Sequence, residues 1–514
     1  MKVMASSQLY AINCTKTIRK SKGHLAFGKA VTLTAFLIMV MAKGMAFAQS
    51  GTPDPAFGVL GRSITTFDTN YDEAFAVAIQ SDGKIVVAGA TDNPNGDLNF
   101  AVIRYNPDGS LDPSFGSSGG VVTNFRTDVP DGDPDDPNTT RKNSEDTARA
   151  VGIQPDGKII IAGISNAPAG DSNFALIRYN PDGSVDPTFG DNSIFPGTTL
   201  LDFRDNWVDE GRAMVFQPDG KIIVAGYSTA PTGVDGNFAL VRYDANGILD
   251  PTFGDNTFFP GTILTDFGGG TFDGANAVAV LPDGQLVAAG LVGFGGAGTE
   301  CDQAFGLVRY NNGVPDTGFG VDNRVVTCLR GDRAQANAVV VQSTGQIVAV
   351  GRTNGPNGDF NFALARYNND GSLDATFNPD SINPGISITD FDNRADGEGG
   401  SERSFDEALA AAIQADGRIV AAGTSNAPIE VDNTNFAVTR YTPDGVANTD
   451  FGTNNRVLTD VTNTSGNHVA NSSTDRANAI AIQPDGLIVV VGGTDSPVIS
   501  GSSDFNIAVV RYLP

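Results

Sequence analysis

The run Ile153-Gln154-Pro155-Asp156-Gly157-Lys158-Ile159-Ile160-Ile161-Ala162-Gly163, continued by Asn173-Phe174-Ala175-Leu176-Ile177-Arg178-Tyr179 and Asn180-Pro181-Asp182-Gly183, decides how this chain folds. Its apolar segments are short, rich in Ile, Val, Ala and Phe, and bounded by Asp-Gly or Pro, which is strand-and-turn chemistry without a helical period. Asp-Gly tolerates the positive φ of a tight hairpin turn. The same order recurs seven times along the chain. An Arg-Tyr pair closes the third segment at Arg104, Arg178, Arg242, Arg309, Arg366, Arg440 and Arg511, at intervals of 57 to 74 residues. A glycine ends the second segment at Gly89, Gly163, Gly226, Gly290, Gly351, Gly423 and Gly492, and only the fifth copy replaces the turn aspartate, with Thr344-Gly345. A fixed-order period of this size is the mark of a repeat architecture.

Each copy carries four strand segments, beginning with one such as Val121-Val122-Thr123-Asn124-Phe125, so seven copies supply 28 strands. An open sheet that large would expose long unpaired edges, whereas radial four-stranded blades leave short protected ones. The expected fold is all-β, a seven-bladed β-propeller of four-stranded antiparallel blades. An open β-solenoid is the rival, although its coils are usually shorter than these repeats. The first strand, Ser63 to Phe67, is expected to complete the blade whose other strands lie at the C-terminus, so that pairing of the N-terminal and C-terminal strands closes the ring. The repeats run approximately 52–112, 113–186, 187–250, 251–316, 317–374, 375–447 and 448–514 within one domain, 49–514.

The blocks Ile153 to Ile159, Phe174 to Tyr179 and Asn180 to Ser184 resemble the delta-60 repeat family of bacterial exported β-propeller proteins, over essentially all of residues 52–514. The resemblance implies a propeller in an exported bacterial protein. It implies no activity and no catalytic residues.

Residues 1–48 differ from the rest. They hold seven Lys or Arg and no acid, then the uncharged run Val31 to Ala42 and the small-residue pattern Ala46-Phe47-Ala48. That run is short of the roughly 20 residues a membrane span needs, so the segment reads as a signal peptide cleaved before Gln49. Export to the periplasm or the medium follows. Without those seven cations, 26 basic residues face 59 acidic ones, a net charge of −33. Such a field disfavours nucleic acid and anionic membranes as partners. A monomer is expected.

By analogy with propellers whose strands run from the axis outward, the near-constant turns share one face and the variable connections share the other. From the outer-strand end to the next turn glycine, most copies take 16 or 17 residues; Phe125 to Gly157 takes 32, Phe391 to Gly417 takes 26 and Val461 to Gly486 takes 25. Binding residues sit disproportionately on loops of a rigid scaffold, which makes the loop-rich face the expected working surface. Its longest loop holds Asp128, Asp131, Asp133, Asp135 and Asp136, then Arg141, Lys142, Glu145 and Asp146. Asp131, Asp133, Asp135 and Asp136 could gather oxygen ligands for calcium, or simply form a solvated acidic loop, since the full calcium-loop pattern is missing. No other cofactor is expected.

Past the signal segment only Cys301 and Cys328 remain, both on the loop-rich face at adjoining strand ends, and a disulfide between them is expected, contributing about 3 kcal/mol in the chain-entropy picture. The seven arginines cannot form one active site. A structural role is expected for each, with acids such as Asp112, Asp186, Asp250, Asp316 and Asp374 as partners. Asn99, Asn173, Asn237, Asn361, Asn435 and Asn506 read as turn or bulge residues. His468 is the one histidine past residue 48 and reads as loop surface, which rules out a histidine-based metal cluster. Trp207 could stack on a sugar, anchor a partner or cap a neighbouring blade. Two functions follow: a non-catalytic module binding a protein or glycan through the loop-rich face, or a carboxylate-based hydrolase or lyase, with or without calcium, with its site at the axis. The scarcity of histidine favours the first.

Overall fold

In the computed structural model the described residues are 49–514, apart from 68–70, 94–95, 126–144, 168–170, 193, 204–206, 231–234, 255–258, 269–270, 295–300, 330–331, 356–357, 392–403, 428–433, 462–472 and 496–504. The first blade shows the plan. Strands Asp72–Ile79, Ile85–Asp92, Leu98–Tyr105 and Gly120–Thr123 pair antiparallel in chain order, and the glycines of the Asp-Gly and Asn-Pro-Asp-Gly turns take positive φ, as at Gly83 and Gly109. Innermost strands of the other blades are Thr147–Ile153, Asp209–Phe216, Asp273–Val280, Ala334–Val341, Asp406–Ile413 and Asp475–Ile482. Each packs against the next, and the last packs against the first. The ring is therefore closed with seven blades. In the fourth, a two-residue strand, Val314–Pro315, pairs as an addition.

The seventh blade is completed by the N-terminal strand Arg62–Thr65, which pairs with Asn506–Tyr512 in the register Arg62↔Val510 to Thr65↔Ile507. Each repeat thus supplies the outer strand of one blade and three strands of the next. Seven apolar clusters fill the seven gaps between neighbours. Because successive side chains of a strand point to opposite faces, Ile159 and Ile161 pack toward the first blade while Ile160 packs toward the third. Both faces are buried, which is why the second strand reads as an unbroken apolar run rather than an alternation.

The outer strands are shorter than their sequence suggests. Gly120–Thr123 stops before Phe125, whose amide donates to Asp146 Oδ2 at 2.9 Å instead of extending the ladder. The same clamp recurs at Phe67 with Asp72, Phe203 with Asp209, Phe267 with Asp273, Phe391 with Asp406 and Val461 with Asp475. Each ties an outer strand to the inner strand of the following blade. Ala334 holds that place in the fifth blade.

The segment read as a signal peptide, the acidic residues Asp131, Asp133, Asp135 and Asp136, and His468 lie outside the described residues. No helix among the described residues is long and apolar enough to cross a membrane.

Candidate functional site

All seven inner strands break register at the same place, between Ala74 and Ala76 in the first blade, and between Ala148/Ala150, Gly211/Ala213, Ala275/Ala277, Ala336/Ala338, Ala408/Ala410 and Ala477/Ala479 in the others. Each break is a β-bulge, which leaves one residue unpaired and re-aims its side chain. Opposite it stands the recurrent glycine, which lies within the second strand rather than at its end, as Gly89 does in Ile85–Asp92. A Cβ on Gly89 would fall 1.9 Å from the Glu73 carbonyl oxygen, and the six equivalent glycines meet carbonyls just as closely. The recurrent glycine is thus the counterpart of the bulge.

The bulged residues are Phe75, Arg149, Arg212, Asn276, Asn337, Leu409 and Asn478, and with Glu210 they line one cavity of about 270 Å³. Since every blade contributes, the cavity lies on the ring axis. The bulge comes early in a strand that starts on the loop-rich face, so the cavity sits toward that end of the channel.

Hydrogen bonds order most of this ring. Asn276, Asn337 and Asn478 donate to the carbonyls of Ala336, Ala408 and Ala74 in the following blades, at 2.8, 2.9 and 2.9 Å. Arg212 donates to Asn276 Oδ1 at 2.8 Å and pairs with Glu210 at 3.1 Å. Glutamates stand two residues before the bulge in three blades. Glu73 accepts from the Tyr71 hydroxyl and from Asn478, while Glu407 accepts from Asn337 at 3.1 Å and Arg352 at 3.3 Å. Burial, and then Glu73, push the Tyr71 hydroxyl well above its ordinary pKa.

Arg149 is the exception. Its guanidinium lies 4.3 Å over the Phe75 ring, half-buried, with no hydrogen bond or ion pair among the described residues. Burial lowers its pKa; Glu210 opposes this and Arg212 adds to it.

The repeated arginines lie away from this cavity, at the far ends of the third strands. Arg104, Arg178, Arg242, Arg309 and Arg366 pair with Asp112, Asp186, Asp250, Asp316 and Asp374 at 2.7 to 2.9 Å, and Arg511 pairs with Asp54. Arg440 meets the neutral Asn448 at 3.0 Å. Most also reach across to the next blade, as Arg178 does to the Ala245 carbonyl at 3.0 Å. Six of the companion tyrosines bond to threonines of the preceding blade, as in Tyr179 with Thr123 at 2.6 Å; the buried Tyr243 hydroxyl does not.

Cys301 and Cys328 are joined within the fourth blade, their Cα atoms 5.9 Å apart. Trp207 packs, partly buried, on the cluster between the second and third blades. Asn99 and Asn173 donate to the carbonyls of Asp97 and Asp171, and Asn237 to that of Ala230. The axial ring is not anticipated by the sequence reading. Its signal is a large or polar residue between two small ones, Ala-Phe-Ala, Ala-Arg-Ala, Gly-Arg-Ala, Ala-Asn-Ala or Ala-Leu-Ala, at one fixed point of every copy.

Five segments, 80–115, 154–189, 217–253, 342–377 and 414–451, match the model of the domain of unknown function (DUF5122) beta-propeller. Each runs from the first turn past the Arg-Tyr pair. The chain is similar to the crystal structure of a protein of unknown function from Dyadobacter fermentans DSM 18053, with 12% identity over 90% of this chain and 100% of that one and a TM-score of 0.38. It is also similar to a catalytically inactive virginiamycin B lyase from Staphylococcus aureus with quinupristin, with 10% identity over 87% and 98% and a TM-score of 0.33. A glucose dehydrogenase gives 10% identity over 87% and 99% and a TM-score of 0.34. At these scores the likenesses assign no chemistry to this chain. No curated protein sequence matches it.

Proposed function

We propose that this chain is an exported, non-catalytic binding propeller that engages a protein or glycan on its loop-rich face, around the mouth of the axial cavity. The observation that carries this reading is the bulge ring. A side chain from every blade is turned into one shared cavity, and that position varies from Phe to Arg, Asn and Leu while the residues on either side of it stay Ala or Gly. Concave sites with a few convergent polar groups are where ligands are held. Calcium at Asp131, Asp133, Asp135 and Asp136 would belong to the same face, and calorimetry with the metal tests that part separately.

A second reading has one observation in its favour, namely that Glu73, Glu210 and Glu407 come from three blades to the axial end of the channel. Acid or nucleophilic work needs a carboxylate free to meet the substrate. These three are held by Tyr71 and Asn478, by Arg212, and by Arg352 and Asn337. That favours binding over hydrolysis or elimination.

The test is a glycan and secreted-protein array probed with the purified protein and with a variant shortened between Asp128 and Asn143, which leaves the Asp146 clamp in place, alongside polysaccharide digests scanned for new reducing ends or unsaturated products. A ligand whose capture weakens in the shortened variant, without turnover, supports the proposal. Turnover that E210Q abolishes, or no capture of any kind, overturns it.

A further inference from the structure

We infer that the axial cavity holds a single acidic sugar residue, with the sugar's carboxylate seated on Arg149. This rests on the reading of the loop-rich face as the binding face, and names what its centre recognises.

The charge balance of the cavity comes first. Its lining contains two arginines and one glutamate, a net positive lining inside a protein whose charge is strongly negative overall. Arg212 is accounted for by Glu210 and Asn276. Arg149 is not: Glu210 and Glu73 act on it through space, and Arg212 repels it. Half-buried and without an acceptor among the described residues, this guanidinium gives up part of its hydration, and a bound anion offsets that cost. Its planar fork of donors matches a carboxylate in bidentate fashion.

The rest of the lining selects a sugar over a bare anion. A volume of about 270 Å³ suits one ring-sized group rather than an extended chain. Phe75, one face of which Arg149 covers, and Leu409 supply apolar lining for the C–H surface of a pyranose. Asn276 keeps one amide N–H and Asn478 its amide oxygen for the cavity, where hydroxyl groups need partners, whereas Asn337 spends both N–H groups on Ala408 and Glu407 and its oxygen on Gln335. The bulge ring is uneven in the way this demands. Phe75, Arg149 and Arg212 stand side by side on three consecutive blades, with the amides mostly opposite.

The probes are galacturonate and glucuronate, compared by calorimetry with galactose, glucose, acetate, inorganic sulfate and a short peptide with a free C-terminus. Saturable heat with a uronate, at least tenfold weaker affinity for its neutral parent and for acetate, and attenuation by salt are expected. R149Q should reduce uronate affinity at least tenfold, and R149K, which keeps the charge without the fork, should fall between, both with near-native thermal midpoints. Equal binding of neutral sugars, of sulfate or of the peptide, or no uronate binding by the unmodified protein, overturns the assignment, and these arms need no variant. If the array finds a ligand whose capture R149Q leaves unchanged, the axial inference fails while the loop-face reading stands.

Discussion

The arginine of each Arg-Tyr pair works as a latch with several contacts. Arg178 binds Asp186 at 2.8 Å, the next blade's Ala245 carbonyl at 3.0 Å and Thr188 at 3.3 Å, and lies 4.8 Å over Phe189. Both members of the pair are almost wholly buried, so removing the cation leaves a buried carboxylate with Lys158 as its remaining counter-charge and Thr188 as a neutral donor. R178M should cost about 3 kcal/mol or more in denaturant unfolding. Arg440 provides an internal comparison, because its partner Asn448 carries no charge to strand. R440M should therefore cost clearly less, and equal losses at the two sites would contradict the latch.

The clamp aspartates join elements, and Asp209, Asp273 and Asp475 among them titrate against the usual direction. Burial pushes Asp273 up to about 7 and Asp209 up to about 6, whereas an unfolded aspartate sits near 3.9, roughly. Between those values the folded chain holds a proton that the unfolded chain releases. Stability from these clamps is thus complete below about pH 4 and lost as pH rises toward 7. Asp186 behaves oppositely: burial raises it, but Lys158 and Thr188, with Arg178, outweigh burial and hold it below the usual range, so its contribution is lost on acidification. Maximal stability should be mildly acidic, and D273N should lose less than the wild type between pH 5 and pH 7.5 in urea unfolding; an unchanged slope would remove the clamp from this role. The fourth-to-fifth blade junction is special, since Ala334 replaces the clamp there and the disulfide holds the end of the preceding outer strand. Replacing both cysteines by serine should cost about 3 kcal/mol, and A334D in that background should restore part of it by meeting the Leu329 amide. No restoration would show that the two devices are not equivalent.

At the scale of the molecule, what could be read in advance was what each copy repeats. Asp156-Gly157 announces a hairpin, Ile159 to Ala162 a strand buried on both faces, and seven such units with an orphan first strand announce a closed ring. The axial ring escaped because a bulge is a property of pairing: only when Ala148 is set opposite Gly163 and Ala150 opposite Ala162 does Arg149 fall out of the ladder and turn to the axis. The clamp was hidden likewise, as the clamped pair is 5 residues apart at Phe67 and Asp72 but 21 apart at Phe125 and Asp146. Closure depends on Arg62–Thr65 lying on Asn506–Tyr512, because without that pairing the seventh blade keeps only three strands and its apolar cluster against the first blade opens. Hydrogen–deuterium exchange of the native protein reads this directly. Peptides covering Arg62–Thr65 should exchange as slowly as those covering the equivalent outer strand Gly120–Thr123, whereas rapid exchange of Arg62–Thr65 alongside a protected Gly120–Thr123 would mean that the ring is not closed by its two ends.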